Sequence, residues 1–183
     1  MILALRFAAS TSIGERKLIY YMGGEDNWLF PAFNVSTPIA FDQHYAFQTL
    51  ATNMRGFVQN IRNGNSFALV NAEIRLPVIR YFYDRPIRSD FLNNFQMVAF
   101  ADAGTAWTGI SPWSEENQLF INYINSNPMF IKVQLVKDPI VEGFGGGLRS
   151  RILGYFLRAD LAWGIEDGRV RKPVFYLSLS LDF

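Results

Sequence analysis

The sequence is poor in charge, in cysteine and in histidine. Only 18% of its 183 residues are Asp, Glu, Lys or Arg, and the formal net charge is +1. Average soluble domains carry about 25% charged residues, and so small a net charge gives no electrostatic support for a nucleic-acid partner. Cysteine is absent, which excludes disulfides and thiolate metal sites. The single histidine, His44, lacks the partners that a His-based triad or a metal cluster needs.

Long hydrophobic segments are also absent. No apolar run approaches the ~20 residues that a membrane-spanning helix needs. The N-terminal residues MILALRFAAS lack the basic n-region and the long apolar core of a secretory signal peptide. If the protein is exported, we therefore expect the chain to be a fragment of a longer protein, or to begin inside a β-strand.

Period-two alternation of apolar and polar residues is the main pattern that is present, and it indicates β-strands with two different faces. The C-terminal segment PVFYLSLSLDF is the clearest example. One face carries Phe175, Leu177, Leu179, Leu181 and Phe183, and the other carries Tyr176, Ser178, Ser180 and Asp182. Tilted by about 45°, this segment crosses roughly 25 Å, the height of the apolar band on a membrane barrel.

Four further segments alternate in the same way and a fifth, 93–107, is apolar on both faces until Asp102, which gives about six strands in all. They are residues 1–12, 66–77, 93–107, 143–153 and 155–165. No helical periodicity competes with them. The sequence therefore predicts an all-β fold of antiparallel strands, with residues 1–183 forming one domain or part of one.

Arginine and aspartate dominate the polar face of these strands. The charged residues on it are Arg6, Glu73, Arg75, Asp102, Arg149, Arg151, Arg158, Asp160 and Asp182. A soluble sandwich would leave these charges in bulk water, where Lys and Glu are the usual residues. A transmembrane β-barrel with a polar interior and a lipid-facing exterior explains both faces at once. We expect the lipid-facing residues to include Leu157, Leu161, Trp163, Leu177, Leu179 and Leu181.

The connections between the predicted strands alternate in length. Residues 15–64 and 108–140 are long, whereas residues 82–92 and the turn near Gly154 are short. Outer-membrane barrels alternate long extracellular loops with short periplasmic turns in this way. A connection as long as 15–64 is usually functional.

Four stretches together resemble the BamA/TamA family of outer-membrane assembly barrels, also called the bacterial surface antigen family. The long loop holds MGG (22–24) and MRGF (54–57), similar to the family's Gly-Gly pair and its [V/I/L]RG[F/Y] tetrad, with Met54 in place of the usual branched residue. NAEIRLP (71–77) and FADAGTAW (100–107) resemble two family strands that carry inward carboxylates. The last strand, ending at Phe183, resembles the family's C-terminal assembly signal.

The resemblance implies a location and a role. It covers nearly the whole chain, as the last six or so of sixteen strands, and places the protein in the bacterial outer membrane. It implies help in inserting or translocating outer-membrane proteins, with membrane lipid, client proteins and assembly-complex subunits as partners. The residues implied for the assembly signal are Phe175, Leu177, Leu179, Leu181 and Phe183.

The loop motif Met54, Arg55, Gly56 and Phe57 also makes sense from its residues. Glu73 and Asp102 lie on the polar face of two strands, and a guanidinium on a loop folded against that face can form a bidentate pair with a carboxylate. We therefore expect Arg55 to pair with Asp102, with Glu73 nearby. The alternatives are that Arg55 is solvated on an external loop, or that the contact only holds the loop in place.

Enzymatic readings find little support. The run GFGGG (143–147) is not a phosphate-binding G-x-G-x-x-G, and it precedes a strand. Its glycines suit a close approach by a loop or neighbouring backbone. The sequence predicts no enzyme, no cofactor and no metal site. The alternatives to an assembly barrel are a passive pore or transporter barrel of the outer membrane, and a soluble β-sheet binding module.

Overall fold

The computed structural model of the chain describes residues 1–40, 43–82, 89–114, 117–126 and 129–181. Almost all of its regular structure is β-sheet, so the expected all-β class is confirmed. The strands in chain order are β1 (Ile2–Thr11), β2 (Lys17–Met22), β3 (Tyr45–Ala51), β4 (Arg62–Gly64), β5 (Ser66–Leu76), β6 (Gln96–Trp107), β7 (Ile121–Ser126), β8 (Met129–Gln134), β9 (Val141–Ile152), β10 (Tyr155–Glu166), β11 (Arg169–Val170) and β12 (Val174–Leu181).

The six predicted strands are present, and they pair in chain order. The main sheet has the order β1-β5-β6-β9-β10, with both β11 and β12 paired to β10. Each of these pairings is antiparallel. Among the described residues β1 and β12 do not pair with each other, so the sheet is not closed. A closed barrel therefore remains part of the proposal below.

The prediction of residues 15–64 as a loop is wrong in one respect, because this segment contains three strands. β2 pairs with β3 in parallel and with β4 in antiparallel fashion. Residues 19–22 are buried on both faces of β2, so the segment KLIYYM has no alternation to reveal it as a strand. This small sheet packs over one face of the main sheet and forms a buried cluster with it: Tyr20, Met22, Ala51, Met54, Phe57, Ile61, Leu69, Ala106 and Val141.

The other connections also contain structure that the sequence pattern does not predict. The β5–β6 connection holds the short helices α1 (Val78–Phe82) and α2 (Asp90–Asn93), and β7 and β8 form a hairpin within 108–140. Ser89 caps α2 by accepting a hydrogen bond from the amide of Leu92. In the described part of the chain, no helix has the length and apolarity to cross a membrane.

The two faces of the main sheet differ sharply. The covered face, against which the 12–65 segment packs, is polar and buried, with Asn71, Asp102, Asp160 and Ser178 each less than 5% exposed. The opposite face, called here the exposed face, is apolar. Its most open large side chains are Leu3, Leu5, Phe7, Val70, Ile74, Met97, Phe144, Leu148, Ile152, Tyr155, Phe175 and Leu179.

The strand register assigns the expected lipid-facing residues to the exposed face. Leu157 is opposite Leu179 and Leu161 is opposite Phe175, so these side chains share one face of β10 and β12. Along the described main-sheet strands the register gives this face a single charged position, Glu142, near one end of β9. The apolar face is therefore continuous across the whole sheet.

Candidate functional site

The MRGF motif lies on the covered face of the main sheet. Met54 is fully buried in the cluster between the small sheet and the main sheet, and Phe57 is 4% exposed. Gly56 has a φ of +96°, a conformation that L side chains rarely adopt. Its backbone also lies against the backbone of Trp163 and Gly164 in β10. The motif is thus held flat against the sheet, with Arg55 in its middle.

Arg55 is a buried cation that contacts three strands, β5, β6 and β10, the last through Asp160 at 3.5 Å. Its Nε donates to Oδ2 of Asp102 at 2.7 Å and its Nη2 donates to Oδ1 of the same residue at 2.8 Å. Its Nη1 donates to Oε1 of Glu73 at 2.7 Å. The guanidinium carbon also lies 3.6 Å from the ring centroid of Phe100, a distance at which an aromatic face attracts a cation. The expected partners of Arg55 are therefore brought together around it.

The carboxylates around Arg55 keep it charged. Burial by itself lowers the pKa of a guanidinium, but the hydrogen bond and charge of Asp102, together with Glu73, raise the pKa of Arg55 above its ordinary value. The side chains of Arg55 and Asp102 are 2% and 0% exposed, so neither charge has water as an alternative partner. Removing Arg55 would leave the carboxylate of Asp102 uncompensated, which costs ~3–5 kcal/mol for a buried pair.

Glu73 is shared by three arginines. Besides Arg55, it accepts from Arg75 through Oε2 at 2.8 and 3.0 Å, and from Arg149 through both oxygens at 2.8 and 3.0 Å. Arg75 belongs to the same strand as Glu73, whereas Arg149 lies on β9, two strands away. Glu73 therefore links the loop motif to the polar face of β5 and β9.

A tyrosine of the last described strand holds the backbone of the motif. The hydroxyl of Tyr176 accepts from the amide of Gly56 at 2.9 Å and donates to the carbonyl oxygen of Phe57 at 2.7 Å. Tyr176 is fully buried, and its ring packs against Trp28 with a centroid distance of 4.8 Å. The motif is thus fixed by β5 and β6 through Arg55 and by β12 through Tyr176.

Two glycines make room for the motif on the sheet. A Cβ on Gly143 would overlap the carbonyl oxygen of Arg55, and a Cβ on Gly164 would overlap the ring of Phe57. Gly143 and Gly164 are opposite each other in the β9–β10 register. The GFGGG run therefore begins at the point where the loop backbone meets the sheet, in agreement with the sequence expectation for its glycines.

A second acidic contact ties the loop to the far side of the sheet. Glu25, 2% exposed, accepts from Oγ of Ser178 at 3.0 Å and from Arg158 at 3.3 Å. Burial and the nearby charge of Asp160 raise the pKa of Glu25 to about 7. Next to it, Trp28 forms an antiparallel bridge with Ser178, and the amide of Leu29 donates to the carbonyl oxygen of Leu177 at 2.9 Å.

The expected assembly signal is described only in part. Phe175 and Leu179 are exposed, at 58% and 40%, on the same face as Leu177. The backbone of Leu181 pairs with Tyr155, and its side chain, like all of Phe183, lies outside the described residues. The role of this strand as an assembly signal stays a prediction. Among the described side chains no group of three or more His, Cys, Asp or Glu is placed to hold a metal ion.

Several contributors to the site cannot be identified from the sequence alone. Alternation predicts only the face of Tyr176 and Asp160, and no motif distinguishes Asn71, which donates to Oδ1 of Asp102 at 2.7 Å. Phe100 belongs to the FADAGTAW stretch, but nothing in that stretch identifies it as a partner of Arg55. Their face could be predicted from alternation, but their partners lie on the loop, whose path over the sheet has no periodic signal.

Comparisons with known proteins give no relative. No family model matches the chain, no curated protein matches it, and no solved structure matches its fold.

Proposed function

We propose that the chain is the C-terminal part of an outer-membrane β-barrel of the BamA/TamA type, which assists the insertion or translocation of outer-membrane proteins without being an enzyme. The observation that carries the proposal is the distribution of residues between the two sheet faces, which is the reverse of that in a soluble protein. The covered face holds the charges and the exposed face holds the leucines and phenylalanines, the distribution typical of membrane barrels. Lipid, client proteins and assembly subunits are the proposed partners.

The energetics of the exposed face favour lipid as its environment. Leu5 and Phe7 on β1 are 72% and 71% exposed, and Phe175 on β12 is 58% exposed. Soluble monomers rarely expose a continuous apolar patch larger than a few hundred Å², and each such side chain loses about 1.5–3 kcal/mol of burial free energy in water. Hydrocarbon removes this cost across every strand of the sheet.

The loop on the covered face favours an assembly role over a passive pore. A wide pore needs an open interior, whereas here Arg55, Tyr176 and Glu25 hold a long segment against the polar face. Strands whose main-chain edges remain available can add an extended partner segment by β-augmentation. A barrel whose interior is filled by this segment is poorly suited to free diffusion, which favours the assembly role.

The experiment places the protein in lipid vesicles and adds an unfolded outer-membrane barrel protein as the client. We expect the client to become protease-resistant faster than in empty vesicles, and Arg55→Ala to remove most of the acceleration. Arg169→Ala, an exposed arginine outside the motif, is the matched control. Equal client folding rates with and without the protein, combined with rapid leakage of a trapped small dye, would favour the passive pore instead.

A further inference from the structure

Arginines make up half of the residues that line a cavity on the polar side of the main sheet. It has a volume of about 310 Å³ and lies beside the MRGF loop. Its charged lining residues are Arg6, Arg55, Arg75, Arg149, Arg158 and Glu73. Five arginines and one carboxylate residue therefore line the same space. This is an unusual concentration of one charge sign in a chain whose net charge is +1.

The nearby carboxylates do not neutralise all the arginines that line the cavity. Glu73 already serves Arg55, Arg75 and Arg149, and both of its oxygens accept at least two hydrogen bonds. Asp102 is occupied by Arg55, and Glu25 contacts Arg158 at 3.3 Å. Asp160 lies 3.5 Å from Arg55 and 3.9 Å from Arg149. The side chain of Arg6 forms no hydrogen bond or ion pair with any other described residue.

The strand register places two of these cations directly against each other. Arg149 on β9 is opposite Arg158 on β10, and like charges at opposed positions of an antiparallel pair destabilise the sheet. The Nε of Arg149 is buried and has no hydrogen-bond partner in the described part of the chain. An anion with several oxygens would offset the repulsion and satisfy donors that Glu73 cannot reach.

We propose that this cavity binds a phosphate group. Guanidinium groups bind phosphate and carboxylate through paired, charge-assisted hydrogen bonds. A phosphate has more oxygens and more charge than a carboxylate, so it can engage guanidiniums from Arg6, Arg149 and Arg158 at once. The volume of about 310 Å³ accommodates the phosphate with a small attached group. The ligand is a free phosphate or a phosphorylated headgroup, since both present the same oxygens.

The test measures binding of inorganic phosphate to the full chain folded in lipid vesicles, at constant ionic strength, by titration calorimetry. We expect saturable binding with a Kd below about 1 mM. Arg6→Gln removes a guanidinium that has no other described partner, so it should weaken binding at least tenfold without disturbing the fold. Arg158→Gln provides a second variant, and Arg169→Gln, with the same charge change on β11 outside the cavity, should leave the Kd unchanged.

Parallel titrations with glycerol phosphate and a sugar phosphate distinguish the two sources. Tighter binding of either ester than of inorganic phosphate assigns the site to a headgroup, and the reverse order assigns it to free phosphate. Absence of saturable binding, or the same loss of affinity in Arg169→Gln as in Arg6→Gln, would overturn the proposal. Folding of each variant is checked by protease resistance, which is independent of phosphate.

Discussion

The carboxylate of Asp102 holds both the backbone and the side chain of Arg55. Its Oδ2 accepts from the Arg55 amide at 3.2 Å as well as from Nε at 2.7 Å, across 47 residues of sequence. A lysine at position 55 would retain the charge and the amide contact, but its single ammonium cannot form the fork that reaches Asp102 and Glu73 together. The arginine is therefore required by geometry as well as by charge.

A double-mutant cycle measures this pair. Arg55→Ala should lower the free energy of unfolding by ~3–5 kcal/mol, because it leaves the buried carboxylate of Asp102 without its cation. Asp102→Ala should cost less, because Arg55 keeps Glu73 as a partner at 2.7 Å. The double variant should lose less than the sum of the two, which gives a coupling energy above about 1 kcal/mol. Urea unfolding of the protein in vesicles is the measurement. A coupling energy of zero would mean that water compensates both charges.

The two faces of β12 should respond differently to the same substitution. Leu179→Arg places a charge on the exposed face and should cost ~2–4 kcal/mol near the middle of a bilayer. Ser180→Arg, at the neighbouring position on the covered side, should be close to neutral. Folding of both variants into vesicles, followed against denaturant, gives the comparison. Equal losses in free energy would contradict the assignment of the exposed face to lipid.

Adding one methyl group to the sheet beneath the MRGF motif should weaken the packing of the loop against the sheet. Gly143→Ala and Gly164→Ala introduce a Cβ where the backbone of Arg55 and the ring of Phe57 lie, and overpacking of this kind costs about 1–3 kcal/mol. The control is Gly146→Ala, which faces away from the loop and whose added Cβ would lie 3.3 Å from the carbonyl oxygen of Val98. Limited proteolysis of the 12–65 segment should be faster in the first two variants than in the control.

Docking of the loop should weaken as pH rises through the range set by Glu25. Burial and Asp160 raise the pKa of Glu25 from 4.5 to about 7, so the folded state retains a proton that the unfolded state loses. The contribution of protonated Glu25 to the unfolding free energy is therefore fully present below pH 4.5. It is lost as the pH rises from 4.5 to 7, by ~3 kcal/mol at most. Glu25→Gln should remove this part of the pH dependence. The measurement is the unfolding free energy of both proteins from pH 4 to 8.

The strands of the main sheet were predictable because alternation is a local property. The polar positions around Ser178 identify a face of β12 without any knowledge of what covers it. The same rule fails for β2, since Ile19 and Tyr20 are buried on opposite sides of that strand. Parallel pairing of β2 with β3 depends on contacts between distant segments, and no local pattern encodes it.

The site was predictable only where two signals coincided. Arg55 stands in a tetrad with a family resemblance, and Asp102 stands at an inward position of a predicted strand, so their contact could be inferred. For Tyr176 the sequence indicates only which face of the strand it lies on. Its hydroxyl bonds the backbone of Gly56 and Phe57, and a backbone partner requires no particular residue type. Backbone partners leave no trace in a sequence.

One edge of β12 pairs with β10, and two loop residues occupy the other edge. Trp28 pairs with Ser178, and Leu29 donates a hydrogen bond to Leu177. These loop residues are tethered to the sheet, and a tether of this kind presents them at an effective concentration on the order of millimolar. An incoming strand that adds to β12 must therefore displace an intramolecular competitor. Weak or short segments would lose that competition, whereas a long segment forming many main-chain hydrogen bonds would win it. Under the proposed function, the edge would thus select partner segments by length before any side chain is recognised.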